Sequence, residues 1–321
     1  MYKYHRQDLS TRKFLITGGA GFIGSHIVAY LVENNAGFIR ILDNLSTGKL
    51  ENIQDYLSLP NVEWIEGDIR DYDICFSALS GIDYVSHQAA LGSVPRSIKD
   101  PIATNEVNIS GFLNIINAAK ESGIKKIVYA ASSSTYGDSK TLPKVEPNIG
   151  KPLSPYAVTK FVNELYAQVF ADLYGFNSVG LRYFNVFGPR QDPNGPYAAV
   201  IPLFIKAALN NEPPFINGDG EQTRDFTYVE NAVQANIKAL LTDTEGHEVL
   251  NIAYGERTSL NTLWNYISEL AGSRNLMPVY RENRQGDVRD SLADISKAKA
   301  LIGYEPKFSI LQGLKITLGA N

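Results

Sequence analysis

The run Phe14-Leu15-Ile16-Thr17-Gly18-Gly19-Ala20-Gly21-Phe22-Ile23-Gly24, followed by a helical pattern through Leu31, leaves this chain few folds to choose from. An apolar strand, a glycine-rich turn and a helix in that order form the opening of a dinucleotide-binding unit. Gly18, Gly21 and Gly24 allow a tight turn, close backbone approach to a pyrophosphate and close helix-strand packing. The helix N-terminus adds unpaired amides and a positive dipole. Phe22 and Ile23 fall in that first turn. The next apolar run ends Ile41-Leu42-Asp43, nineteen residues beyond Gly24. A carboxylate there accepts hydrogen bonds from ribose hydroxyls and repels a 2′-phosphate, so NAD is expected over NADP. Asp43 taken without the glycines would also suit an ordinary turn. Asn44, Ser46, Thr47 and Gly48 extend that side of the expected cofactor site.

Short β-branched runs continue at Arg40 to Leu42, Val62 to Ile65, Tyr84 to His87, Lys126 to Ala130 and Ser178 to Arg182, alternating with helical patterns. Alternation of this kind implies right-handed crossovers and a Rossmann-type α/β fold with a doubly wound parallel sheet. Ligands of such sheets lie at the carboxyl ends of the strands. Asp68 and Ile69 are therefore expected near adenine, and Gln88, Ala89 and Ala90 near nicotinamide. After Asn185 the chain turns rich in Pro, Gly and Asn, which reads as a second, smaller α/β substrate-binding domain. The expected division is 1–185 plus about 225–255 for the NAD domain, and about 186–224 with 256–321 for the other.

Thirty basic against thirty-four acidic residues give a formal charge of −4, so no general attraction to nucleic acid or anionic membrane is expected. Phosphates must be held by local devices. The single Cys75 leaves no internal disulfide framework, and His5, His26, His87 and His247 lack metal-ligand spacing. Metal-free chemistry in a reducing cytoplasm is expected. Neither a signal peptide nor an apolar stretch long enough for a membrane span is legible. The end, Leu318-Gly319-Ala320-Asn321, still reads as helix.

The chemistry is carried by Ser154-Pro155-Tyr156-Ala157-Val158-Thr159-Lys160, which opens a helical stretch to about Tyr174. Proline suits a helix's first turn, and the i, i+4 spacing puts Tyr156 and Lys160 on one face. Tyrosine ordinarily titrates near about 10, but an adjacent ammonium and an oxidised nicotinamide favour the phenolate, giving a base near neutral pH. In isolation a Tyr-x-x-x-Lys pair would equally suit a solvated helix face. Upstream, the strand from Lys126 runs into Ser132-Ser133-Ser134-Thr135-Tyr136-Gly137, where Ser132 can relay a proton between a sugar hydroxyl and the phenolate. A loop serine bonding only backbone is the alternative.

Together these residues resemble the extended short-chain dehydrogenase/reductase family, from Gly18 to the Lys315 region. Leu91-Gly92-Ser93-Val94-Pro95-Arg96-Ser97, the Ser132 to Gly137 run and Arg182-Tyr183-Phe184-Asn185-Val186-Phe187-Gly188 resemble bacterial UDP-N-acetylglucosamine 4-epimerases of surface-polysaccharide pathways. The resemblance implies Ser132 as relay, Tyr156 as base and Lys160 as its partner. It implies Asn108 and Val186 at the nicotinamide end, and Ser93, Ser133 and Asn185 around the sugar and diphosphate. It further implies Ala199, Val200, Asn217, Arg224, Arg284 and Asp287 around UDP. Arginine suits phosphate through its bidentate fork, although either arginine alone would pass for a surface charge. Ser291 matches a family position where a bulky tyrosine narrows the pocket, so serine implies room for an N-acetyl group, unless it faces solvent. A homodimer through the helices after Ser97 and Pro155 is also implied, and the chain stops somewhat short of many relatives, which leaves a truncated terminus open.

The resulting expectation is an NAD-dependent 4-epimerase interconverting UDP-N-acetylglucosamine and UDP-N-acetylgalactosamine through a 4-keto sugar, with NAD retained between turnovers. The alternatives are a 4-epimerase of UDP-uronic acids or of UDP-glucose and UDP-galactose, a nucleotide-sugar dehydratase or decarboxylase, and a non-catalytic NAD-binding protein. Against the dehydratases, Ser133-Ser134 stands where those enzymes carry an acidic pair. The glutamate of resembling decarboxylases is missing at Ser134. A non-catalytic protein would have no need of Tyr156 and Lys160.

Overall fold

A computed structural model of the chain describes residues 2–195, 198–273, 276–282 and 288–320. The β-branched runs form strands β1 (Lys13–Thr17), β2 (Phe38–Asp43), β3 (Val62–Glu66), β4 (Tyr84–His87), β5 (Lys126–Ser132), β6 (Ser178–Tyr183) and β7 (His247–Ile252). They make one parallel sheet in the order β7-β6-β5-β4-β1-β2-β3. The order reverses between β1 and β4, which opens a crevice beyond their carboxyl ends. β2 runs longer at both ends than the apolar run alone suggests, because its partners β1 and β3 supply backbone from Phe38 to Asp43. Likewise β5 extends to Ser132, directly opposite Tyr183 of β6.

The helices are α1 (Phe22–Glu33), α2 (Tyr72–Ala78), α3 (Val94–Lys99), α4 (Pro101–Asn105), α5 (Phe112–Glu121), α6 (Pro155–Tyr174), α7 (Val200–Leu209), α8 (Val229–Leu241), α9 (Leu260–Leu270), α10 (Ser296–Ile302) and α11 (Ile310–Leu318). A π-helical stretch, Glu106–Gly111, joins α4 to α5. One face of the sheet is covered by α1, α8 and α10 over a core that includes Ile27, Leu31, Val233, Leu240 and Ile302. The other is covered by α2, α5 and α6 over Cys75, Phe112, Ile116, Ala167 and Phe170. A third apolar cluster joins α7, α9 and α11 around Phe204, Trp264 and Leu314. The fold is thus a Rossmann-like α/β architecture with an added, smaller core.

α8 packs on α1, and β7 pairs with β6 from His247 opposite Ser178 to Ile252 opposite Tyr183. The chain after Asp225 therefore returns to the first core, and it also contributes a seventh strand that its polar start, His247-Glu248, conceals in the sequence. α11 ends at Leu318, where Gly319, at φ 67°, closes it, with Gly319 N donating to Ile316 O and Ala320 N to Lys315 O. No helix among the described residues is long and apolar enough to cross a membrane.

Candidate active site

The glycine turn works as a bare backbone cradle. Gly18 has φ 68°, and a Cβ there would sit 2.6 Å from Ala89 N. A Cβ on Gly24 would meet Gly18 O at 2.2 Å, so neither position tolerates a side chain without moving backbone. Gly21 caps α1 without any side-chain hydrogen bond, leaving the first amides of the helix facing the crevice. Gly21, Phe22 and Ile23 line a cavity of about 470 Å³ that extends from Asp43 to Tyr156. This donor set, a helix N-terminus beside an acid at the end of β2, fits a dinucleotide.

Asp43 is buried at the end of β2, accepting from Ala20 N at 3.0 Å and Leu45 N at 2.9 Å. Burial raises its carboxyl above the ordinary value, and those backbone bonds pull the other way. Asn44, Ser46 and Thr47 line the same end, whereas Gly48 packs behind it, where a Cβ would lie 2.9 Å from Asp43 Oδ2. Asp68 and Ile69 follow β3 on this wall. The Asp68 carboxylate is taken by Arg70, at 3.0 and 2.8 Å, and by Asn44 at 2.8 Å. The Arg70 fork is the main reason its pKa falls to about 2.

At the other end, Gln88 belongs to a buried polar raft. Its Nε2 donates to Ser86 Oγ and Asn236 Oδ1, both at 3.0 Å, and its Oε1 accepts from the Tyr183 hydroxyl at 3.1 Å. Ala89 and Ala90 line the cavity above this raft, as does Val186. Asn108 stands back from it. Held in the π-helical stretch, it accepts from Leu91 N at 2.8 Å and donates to Leu91 O and Thr159 Oγ1, so it fixes the loop after β4. Ser93 likewise caps α3, its Oγ accepting from Arg96 N at 3.2 Å, with φ 146°.

Tyr156 and Lys160 enter from the first turns of α6, which Ser154 caps by accepting from Ala157 N at 3.1 Å. The helix itself is tied to β6 by a buried two-pronged pair, Arg182 to Glu164, at 2.9 and 2.7 Å. Lys160 Nζ donates to Ala130 O at 2.7 Å and lies 6.0 Å from the Tyr156 ring centroid. Burial lowers Lys160 to about 8. Burial also raises Tyr156, against a hydrogen bond with Ser132 that favours its phenolate. Ser132, at the end of β5, accepts from Ser134 N at 3.1 Å and Ser134 Oγ at 2.9 Å. Tyr156, Lys160 and Ser132 thus line one cavity together.

A second cavity of about 240 Å³ shares Ser132, Ser133 and Asn185 with the first and is also lined by Arg224 and Ser291. Asn185, at φ 37°, donates through Nδ2 to Asp225 O at 3.0 Å, which braces the strand end carrying Arg224. The described residues lining the two cavities do not include Ala199, Val200 or Asn217. Ala199 and Val200 form the N-terminus of α7, and Asn217, itself exposed, ends a short strand, Phe215–Asn217. Arg284 and Asp287 lie outside the described residues. Sequence reasoning missed Tyr183 and Gln191 in the first cavity and Val94, Ile98, Lys144, Leu153 and Val288 in the second. Tyr183 had a signal, its place at a strand end opposite Ser132. The others come from loops and short helices with no local pattern.

A base, a neighbouring cation and a hydroxyl relay around a dinucleotide crevice exchange a proton and a hydride with one alcohol carbon. That is the work of the extended short-chain dehydrogenases/reductases, and the protein falls in that class. Residues 14–253 match the NAD dependent epimerase/dehydratase family, to which the chain belongs, so its cofactor is NAD. It is 42% identical over 303 residues to a putative UDP-glucose 4-epimerase of Methanocaldococcus jannaschii, covering 94% of this chain and 95% of that one. Among solved structures, the UDP-N-acetylglucosamine 4-epimerase of Methanobrevibacter ruminantium M1, in complex with UDP-N-acetylmuramic acid, superposes with a TM-score of 0.91 at 43% identity, covering 96% and 97% of the two chains. The UDP-glucuronic acid 4-epimerase of Bacillus cereus, in complex with UDP-glucuronic acid and NAD, gives 0.89 at 33% identity over 96% and 98%.

Proposed function

We propose that this chain is a UDP-sugar 4-epimerase that interconverts UDP-N-acetylglucosamine and UDP-N-acetylgalactosamine. The observation that carries the choice of sugar is Ser291, which lines the second cavity together with Ser132 and Ser133, where a small hydroxyl leaves space for an acetamido group. Among the described residues lining that cavity there is no carboxylate, so a dehydratase lacks its acid and base there.

Ser132 accepts the proton of the 4-hydroxyl as Tyr156 draws on the Ser132 hydroxyl, and Lys160 holds the phenolate form of Tyr156. NAD, when bound, supplies a reversible hydride acceptor for carbon 4. The 4-keto sugar turns within the second cavity while Arg224 holds the diphosphate, so that the hydride comes back to the opposite face of carbon 4 as Tyr156 returns the proton to its oxygen through Ser132. Gly18 to Gly24 and Asp43 keep the cofactor in place, so no net redox change leaves the site. Residues 1–185 with 225–255 form the cofactor domain in this reading, and 186–224 with 256–321 the sugar-nucleotide domain. The exposed apolar residues Val158, Leu165, Val169 and Leu173 along α6 form the contact of a homodimer.

Ser291→Tyr tests the assignment. Filling the pocket is expected to lower kcat/KM for UDP-N-acetylglucosamine by about ten- to a hundredfold relative to UDP-glucose, read from initial rates on one preparation. An unchanged ratio of the two sugars would remove Ser291 from the account.

A further inference from the structure

Lys144 is 4% exposed, yet the mechanism leaves it without a task. Its backbone is built into the segment that carries Ser291: Lys144 N donates to Leu292 O at 2.7 Å, and Lys144 O accepts from Asp294 N and Asn251 Nδ2, each at 2.9 Å. The side chain lines the second cavity beside Ser134, Tyr136, Gly137 and Ser291. Its ammonium donates to one neutral group, the carbonyl of Ser139. Three N–H donors with one carbonyl partner leave two donors to satisfy. Among the described residues no carboxylate pairs with Lys144, and burial pushes its ammonium below the ordinary lysine value with no opposing charge.

A cation held this way is disfavoured unless a counter-ion arrives. The cavity itself offers none, since its described lining is serine, asparagine, glycine, apolar and aromatic side chains and a second cation, Arg224. Arg224 is engaged with the carbonyls of Thr223 at 2.9 Å and Arg289 at 3.0 Å and serves the diphosphate in the reading above. Lys144 is therefore the charge left over for the sugar itself.

We propose that Lys144 is a specificity-determining residue that pairs with a carboxylate on the sugar, so that the preferred substrates are UDP-acetamido sugars bearing one, C6 uronates foremost. This rests on the 4-epimerase chemistry proposed above and moves the preferred sugar from the neutral acetamido pair, still accepted at a lower rate, to its acidic counterpart. The reaction at carbon 4 is unchanged, because Lys144 acts on a substituent that neither gains nor loses electrons.

The test compares UDP-N-acetylglucosaminuronic acid with UDP-N-acetylglucosamine on the same preparations of wild type, Lys144→Met and Lys144→Arg. The ratio of the two kcat/KM values does not depend on the fraction of enzyme folded. Wild type is expected to favour the uronate at least about tenfold, Lys144→Met to cut that ratio at least about tenfold, mainly through KM, and Lys144→Arg to keep the preference. Wild type that epimerises the neutral sugar with no preference for the acid overturns the role of Lys144 and leaves the 4-epimerase reading standing. So does a Lys144→Met protein that loses both activities equally, which marks a structural lysine. Absence of any isomer from either sugar overturns the reading itself.

Discussion

Tyr156 and Lys160 are both driven towards their neutral forms by burial, the tyrosine upward and the lysine down to about 8. Proton abstraction needs the opposite, a phenolate beside an ammonium. The Lys160 ammonium is present below about 8 and is lost as pH rises through that value, whereas the phenolate gains population in the same direction. The alkaline limb of kcat/KM is therefore assigned to Lys160, with a fall above about pH 8. A guanidinium keeps its charge throughout this range. Lys160→Arg should accordingly move the limb at least about one pH unit upward while lowering the plateau, measured as a pH profile of initial rates. A limb left at its wild-type position would assign it to another group. At this scale the sequence spoke clearly, because the Tyr-Lys spacing is local to one helix. It was silent on Lys144, whose backbone partners Asn251, Leu292 and Asp294 come from two distant segments.

Among the elements, the β1-α1 junction is the proposed seat of the cofactor. Its glycines were legible for the same reason, since strand, turn and helix are contiguous. Gly24→Ala would place a methyl 2.2 Å from Gly18 O, which forces α1 away from the turn and breaks the cradle. The variant is expected to purify with less than about a tenth of the wild-type NAD, a loss of about 1.4 kcal/mol or more in binding, assayed on cofactor released by heat. Full retention of NAD would show that the cradle can shift to admit it. Elements built by pairing were less legible. β7 depends on its register with β6, and the π-helical stretch around Asn108 is visible only once Leu91 and Thr159 are brought to it. The sequence marks Asn108 and Ser93 as cofactor and sugar contacts, and it does not show that in the folded chain both also hold backbone.

For the whole molecule, the two sheet faces and the third cluster account for most of the core, which leaves the outer face of α6 uncovered. Val158, Leu165, Val169 and Leu173 recur there at helical spacing, and the same helix carries Tyr156 and Lys160 on its inner side. Pairing with a second copy would brace the catalytic helix from outside. Leu165→Glu places a charge in the centre of that face and should convert a homodimer to a monomer at micromolar concentration, read by light scattering after size exclusion. A wild-type monomer would remove this contact from the account. The α/β class, the expected order of elements and the cofactor were all readable from residues 13–183, where local patterns repeat. The sugar cavity was readable only in part, because it is assembled from stretches of chain that are far apart in sequence, from Val94 to Ser291. The central claim is a 4-epimerase that carries its own NAD, and proton NMR of the purified protein with UDP-N-acetylglucosamine, without added cofactor, tests it most directly. The account predicts growth of the UDP-N-acetylgalactosamine anomeric signal to a constant ratio with no oxidised sugar accumulating. A spectrum that stays at the starting sugar while the protein retains NAD would contradict it.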